Sequence, residues 1–104
     1  MNLDDYITIP KNWNGPNGTV PFEIRWCPDC IGFDDGTSMA HLEIISHERK
    51  PLPVTETGYR SHFIGKEAVE NFGGPELYVD AWFAYEMTTA TGKLIAAPKQ
   101  LSLF

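Results

Sequence analysis

Residues 22–27 alternate apolar and polar residues with the period of two that is typical of a strand buried on one face, and two later segments are predicted as further strands. Within residues 22–27, Phe22, Ile24 and Trp26 are predicted to face the core. A short edge strand over residues 6–9, stopped by Pro10, is also predicted, because sheet edges tolerate proline. The three segments predicted as strands are residues 22–27, 41–47 and 59–64, and the first two are predicted to pair antiparallel.

Two helices are predicted after these strands. The first covers residues 66–72, because Gly73 and Gly74 supply the left-handed backbone that ends helices. Pro75 suits the first turn of the second, which runs over residues 75–87. The apolar surface of the second helix is wider than a single stripe, so it is covered on two sides or meets a partner. The predicted fold class is α+β, a small antiparallel sheet of three to four strands packed on one or two helices.

Composition narrows the classes of function. A chain of 104 residues fits one domain, predicted over residues 1–95, with a tail over residues 96–104. The net charge of −6 repels phosphate and so disfavours direct binding of nucleic acid. No apolar run approaches the ~20 residues of a membrane span. The amino terminus is acidic where a secretory signal would be basic and then apolar, so a cytoplasmic protein is expected.

Cys27 and Cys30 form a CxxC motif with two possible roles. A redox role needs a helix amino terminus to lower a thiol pKa, and the residues that follow do not favour a helix. A zinc site needs two more ligands, which His41 and His62 on neighbouring strands could supply. We expect reduced cysteines and no metal, and keep zinc as the alternative.

The stretch around Ser61 invites a catalytic interpretation that strand geometry disfavours. Adjacent strand residues point to opposite faces, so Ser61 and His62 do not easily form a nucleophile–base pair. Arg60 and His62 are predicted to share a face opposite His41 and Glu43, as a polar, salt-bridged sheet surface. The sequence has neither a phosphate-binding glycine loop nor a nucleophile elbow. The chain is therefore predicted not to be an enzyme and to need no cofactor.

The residues Gln100-Leu101-Ser102-Leu103-Phe104 carry the most specific motif. Their order resembles the pentapeptide by which bacterial replication and repair proteins dock on the DNA polymerase sliding clamp. The resemblance implies that Gln100 hydrogen-bonds at the pocket entrance, that Leu101 enters one apolar subsite, and that Leu103 and Phe104 fill a deeper one. Ser102 is the spacer. The alternative is a final strand whose Leu101 and Leu103 pack on the domain's own core.

A second resemblance covers residues 40–82. The stretches Ala40-His41-Leu42-Glu43, residues 51–63 and Gly73-Gly74 to Ala81-Trp82 are similar to short uncharacterised proteins of proteobacterial plasmids and other mobile elements. This resemblance implies a mobile-element origin and brings no activity with it.

Together these observations predict a non-enzymatic mobile-element protein that binds a host protein, with the sliding clamp as the first candidate. The alternative is an acidic inhibitor of a host defence system, of the anti-CRISPR type, which blocks a nucleic-acid-binding surface of a CRISPR-Cas or other effector. A zinc-stabilised or purely structural accessory domain is a third class, and a homodimer is possible. The acidic residues that would serve an inhibitor are Asp4, Asp5, Asp29, Asp34, Asp35, Glu76, Asp80 and Glu86.

Overall fold

The computed structural model of the chain describes residues 6–16 and 18–89. Within these residues, four strands form one antiparallel sheet in which each strand pairs with the next along the chain. Two helices follow the last strand. The elements in chain order are β1 (Ile7–Gly15), β2 (Gly18–Gly32), β3 (Ser38–Ser46), β4 (Tyr59–Gly65), α1 (Lys66–Glu70) and α2 (Pro75–Glu86).

The pairing register divides the side chains of the sheet between two faces. Residues that oppose each other in antiparallel strands have side chains on the same face. Leu42 opposes His62, and both lie on the face that the helices cover. The preceding residue, His41, opposes Cys27 on β2 and Phe63 on β4. These three lie on the other face, here called the open face, and neither α1 nor α2 packs on it.

The hydrophobic core lies between the covered face and the helices. Phe22 of β2 meets Phe83 of α2 with ring centroids 5.1 Å apart. Leu52, in the connection from β3 to β4, is fully buried and closes one end of the core. The buried apolar residues of this cluster are Val20, Phe22, Ile24, Trp26, Ala40, Leu42, Ile44, Leu52, Val54, Val69, Val79 and Phe83.

The turn between the two helices depends on two glycines, as the sequence predicts. Gly73 and Gly74 have φ angles of 108° and 112°, a backbone region that side-chain-bearing residues rarely adopt. Pro75 follows as the first residue of α2. The α+β fold class predicted from the sequence is confirmed. Neither of the two described helices is long and apolar enough to cross a membrane.

The first two strands are longer than the sequence predicts. The prediction of a strand stopped by Pro10 is wrong, because β1 runs through Pro10, which pairs with Glu23. Among the described strands β1 pairs only with β2, and an edge strand tolerates the missing N–H of a proline. β2 also continues past the predicted end at Cys27, through an irregularity that lies between Cys27 and Ile31.

The central position of Leu42 leads to a stability prediction. Its side chain has no solvent exposure, whereas Leu77 on α2 is 54% exposed. We expect Leu42→Ala to lower the free energy of unfolding by about 2–5 kcal/mol, since it removes buried methyl groups and leaves a cavity. The control Leu77→Ala should change it by roughly 0.5 kcal/mol or less. Urea unfolding monitored by tryptophan fluorescence measures both, and equal losses would contradict this description of the core.

Candidate functional site

Six side chains form a connected group on the open face, which we call the polar cluster. Strand alternation brings them together, because every second residue of β2, β3 and β4 points to this face. Residue 6, immediately before β1, completes the group. The members of the polar cluster are Tyr6, Arg25, His41, Glu43, Tyr59 and Ser61.

His41 occupies the centre of the polar cluster. Its imidazole Nδ1 lies 2.5 Å from the hydroxyl oxygen of Tyr6, and its Nε2 lies 2.6 Å from Oγ of Ser61. The ring of Phe63 stacks on it with centroids 4.4 Å apart. His41 is only 8% exposed, whereas Phe63 is 48% exposed. Both ring nitrogens are therefore satisfied, and an aromatic ring shields the histidine from solvent.

The tyrosine that contacts His41 keeps its proton at neutral pH. Burial and the hydrogen bond with Cys30 raise the pKa of Tyr6 to about 12. A protonated phenol can donate to Nδ1, which leaves the ring proton on Nε2 and makes Ser61 the acceptor. In that arrangement the imidazole does not take a proton from the serine. Arg25 lies over the Tyr6 ring, with its guanidinium carbon 4.6 Å from the centroid, and adds a cation–π contact.

Glu43 connects the other half of the polar cluster. Nη1 of Arg25 donates to Oε1 of Glu43 at 2.9 Å, and the Tyr59 hydroxyl donates to Oε2 at 2.5 Å. The hydrogen bond to this carboxylate, with burial as the second cause, raises the pKa of Tyr59. Both carboxylate oxygens therefore already have partners. A carboxylate held in this way is poorly placed to act as a general base.

The polar cluster has the composition of a recognition surface. Ser61 and His41 lie within hydrogen-bond reach of each other, as a nucleophile and its base do, but a Tyr6 hydroxyl that donates to Nδ1 leaves the Nε2 proton pointing at Ser61. Tyrosine and arginine are enriched at protein–protein interfaces, and exposed Phe63 adds an apolar contact beside them. A sheet face with this composition can form hydrogen bonds and stacking contacts with a partner.

The predicted placement of Arg60 and His62 opposite His41 is wrong. Ser61 opposes Glu43, whereas Arg60 and His62 point to the face that the helices cover. There both approach the indole of Trp82, at 5.7 Å for the Arg60 guanidinium and 5.6 Å for the His62 ring. The sequence supplies the alternation within each strand, but the register between strands decides which residues share a face.

The alternative zinc set is not brought together. Cys27 and His41 oppose each other on the open face, but His62 lies on the opposite side of the sheet. Cys30 follows the irregularity in β2, with its Sγ 3.9 Å from the Tyr6 hydroxyl oxygen. The two cysteines are not joined in a disulfide bond, and the CxxC lies on β2, where Asp29 between them pairs with Lys66, the first residue of α1. Among the described residues, no group of three or more possible ligands could hold a metal ion.

The contact between Ser61 and His41 was missed by sequence reasoning, which tested Ser61 only against its neighbour His62. The two residues lie on adjacent strands and interact diagonally, since Ser61 opposes Glu43 and His41 opposes Phe63. The sequence shows that His41 and Glu43 are two residues apart in β3, and so share a face of the sheet, and that the same holds for Tyr59 and Ser61 in β4. Placing these two pairs on the same face also requires the register between β3 and β4.

Lysines partly neutralise the candidate acidic residues. Nζ of Lys11 lies 3.3 Å from Oδ2 of Asp80 and 3.7 Å from Oε2 of Glu76. Lys66 pairs with Asp29 at 3.1 Å, and this hydrogen bond lowers the pKa of Asp29 and raises that of Lys66.

The other acidic candidates have separate positions. Asp34 and Asp35 are exposed in the turn from β2 to β3, where Asp35 accepts hydrogen bonds from Thr37 that lower its pKa. Glu86 is the last residue of α2. Asp4 and Asp5 lie outside the described residues, as do Gln100, Leu101, Leu103 and Phe104 of the tail.

Comparison with known proteins gives one family match. The model of a family described as the KlcB third domain matches residues 7–93, a range that includes all four strands and both helices described above. The pentapeptide at residues 100–104 lies beyond the matched range. No curated protein and no solved structure matches the chain.

The position of His62 predicts a pH dependence of stability. Burial, together with the neighbouring Arg60, lowers the pKa of His62 below its ordinary value of 6.5. The unfolded chain then binds the proton more tightly than the folded chain, so the free energy of unfolding falls as the pH drops below 6.5. We expect the urea midpoint to fall between about pH 7.5 and pH 5, and to fall less in His62→Gln.

His47→Gln serves as the matched control, because the His47 side chain is 57% exposed. It removes an imidazole from the surface without touching the Trp82 contact. An equally steep fall of the midpoint in wild type and His62→Gln would show that His62 is not responsible.

Proposed function

The chain belongs to the KlcB third-domain family. We propose that it is a non-enzymatic mobile-element protein that acts by binding a host protein. KlcB is a plasmid-encoded protein, which is consistent with a mobile-element protein. The partner we propose is the bacterial DNA sliding clamp, bound through residues 100–104. Gln100, Leu101, Leu103 and Phe104 make the contacts in this proposal, and Ser102 separates them.

The observation that supports this proposal most is the location of the pentapeptide relative to the family domain. All five of its positions fit the clamp-binding pattern, and it follows the matched range, which ends at residue 93. Residues 94–99 separate the two and contain Pro98. A peptide outside the matched range could reach a groove on a partner without disturbing the strands and helices.

The apolar side chains of the pentapeptide set the scale of the expected affinity. Burying Leu101, Leu103 and Phe104 contributes about 1.5–3 kcal/mol each, or roughly 5–9 kcal/mol in total. Ordering a short peptide on binding offsets a few kcal/mol of this sum. A dissociation constant of 1 μM corresponds to about 8 kcal/mol. Taking the upper end of this sum less about 2 kcal/mol, the proposal expects a dissociation constant of roughly 10 μM.

The polar cluster supports the non-enzymatic part of the proposal. Both ring nitrogens of His41 and both carboxylate oxygens of Glu43 already have partners. When the Tyr6 hydroxyl donates to Nδ1, Nε2 of His41 carries the ring proton and does not act as a base toward Ser61. Binding of a protein does not require such a base.

The acidic-inhibitor alternative has less support from the geometry. Mimicry of duplex phosphates needs a dense array of uncompensated carboxylates. Lys11 approaches both Glu76 and Asp80, and Lys66 pairs with Asp29, so three candidates have a cation beside them. Asp34 and Asp35 remain as an exposed pair in a turn. Loss of inhibition of a defence nuclease in Asp34→Asn/Asp35→Asn would favour the alternative over clamp binding.

Titration calorimetry of the purified full-length chain with purified clamp tests the proposal directly. We expect binding by the wild type, and a loss of about 100-fold or more in affinity for Leu103→Ala/Phe104→Ala, because two large apolar contacts disappear. Ser102→Ala is the matched control within the same peptide and should bind as the wild type does.

Two results would contradict clamp binding. One is the absence of detectable heat with the wild type at clamp concentrations of roughly 100 μM, well above the expected dissociation constant. The other is equal affinity of the wild type and the double variant. Unchanged urea unfolding of the double variant would exclude loss of the fold as the cause of lost binding.

A further inference from the structure

α2 carries a second apolar surface besides the one that packs on the sheet. Val79 and Phe83, one turn apart, are buried in the core. A different stripe of the same helix, spaced three and four residues apart, contains Tyr78, Trp82 and Tyr85. This second stripe explains the wide apolar surface that the sequence shows for this helix.

The second stripe lines a shallow depression, which we call the aromatic groove. Its volume is about 230 Å³, and its lining residues are Phe72, Tyr78, Ala81, Trp82 and Tyr85. Phe72 is 53% exposed and Tyr85 is 65% exposed. Phe72 meets Tyr78 edge-to-face with centroids 5.8 Å apart, and Tyr78 lies 6.3 Å from Trp82. Arg60 and His62 of β4 contact one side of Trp82, and Tyr78 and Trp82 pack partly against the core, so the groove is open to solvent mainly at Phe72 and Tyr85.

We propose that the aromatic groove binds the C-terminal segment of the same chain, with Leu101, Leu103 and Phe104 as the inserted side chains. The groove would then hold the peptide that the proposed function assigns to the sliding clamp, and the two contacts would exclude each other. The competition between the groove and the clamp rests on the proposed function. The contact between the segment and the groove does not.

The length of chain after α2 allows this contact. α2 has 12 residues and is about 18 Å long at 1.5 Å per residue. Residues 90–99 separate the last described residue, Thr89, from the pentapeptide. A flexible chain of that length has a root-mean-square span of about 17 Å. The pentapeptide therefore reaches the groove without stretching the residues between.

Charge complementarity favours the same occupant. α2 carries Glu76, Asp80 and Glu86 and no basic residue. Residues 90–104 carry Lys93 and Lys99 and no acidic residue. Lys11 already lies beside Glu76 and Asp80, so the attraction that favours this occupant is between Glu86, which follows Tyr85, and the two lysines of the segment.

Covalent attachment makes the segment a stronger competitor than a free peptide. Attachment through a short flexible linker gives an effective concentration in the millimolar range. A groove contact that is weak between separate molecules is therefore populated within one chain. The clamp must displace it, so its apparent affinity falls in proportion to the fraction of chains whose segment is free.

Nuclear magnetic resonance of the full-length chain tests the groove contact. The wild type is compared with Leu103→Ser/Phe104→Ser. We expect the indole N–H resonance of Trp82 and the amide of Tyr85 to shift between the two proteins, by amounts that do not change on tenfold dilution. No shift at either position overturns the inference. A shift that disappears on dilution also overturns it, because the occupant is then a second copy of the chain.

The clamp assay supplies the second test, with Tyr85→Ser as the groove variant. This change should raise the affinity for the clamp roughly three- to tenfold, as expected if about 70–90% of the chains hold the segment in the groove. Leu77→Ser is the matched control, since Leu77 is 54% exposed on the same helix and does not line the groove. Equal clamp affinity of Tyr85→Ser and wild type overturns the competition.

The two proposals fail in distinguishable ways. Resonance shifts without any clamp binding would support the groove contact and reject the clamp as partner. Clamp binding through Leu103 and Phe104, without resonance shifts and without an effect of Tyr85→Ser, would support the clamp and reject the groove contact.

Discussion

The register of β3 against its two neighbours is the constraint on which the rest of the structure depends. β3 lies between β2 and β4, and its residues alternate strictly between the two faces. Leu42 and Ile44 therefore enter the core, while His41 and Glu43 reach the open face. A slip of one residue would exchange these sets, burying a carboxylate and exposing two aliphatic side chains. The core and the polar cluster therefore both require the observed register of β3 against β2 and β4.

The sequence predicts the elements better than the contacts between them. Alternation at Phe22, Ile24 and Trp26, and the glycine pair before Pro75, are local signals, and the structure confirms both. The length of β1 could not be read locally, because Pro10 is tolerated only on account of the edge position that the whole sheet gives it.

The polar cluster was beyond sequence reasoning for the same kind of reason. Ser61 meets His41 only because the connection between β3 and β4, with buried Leu52 and a backbone hydrogen bond from Ser46 to Gly58, sets the offset of the two strands. The offset between two strands depends on packing across the core, and no periodic pattern of residues in the sequence indicates it. The wide apolar surface of α2, in contrast, could be predicted from the sequence, because a helix that packs on a sheet needs only one apolar stripe.

In the proposed account, the second apolar surface of α2 binds the apolar pentapeptide at residues 100–104 when that peptide is not bound to the clamp. The most direct test of this account is a competition experiment, in which the unlabelled full-length chain is added to sliding clamp that carries a fluorescent clamp-binding peptide. The account predicts that the chain displaces the labelled peptide, lowering its polarisation to the value of free peptide, and that Tyr85→Ser does so at lower concentration. Polarisation that stays at the clamp-bound value up to roughly 100 μM chain, well above the expected dissociation constant, would contradict it.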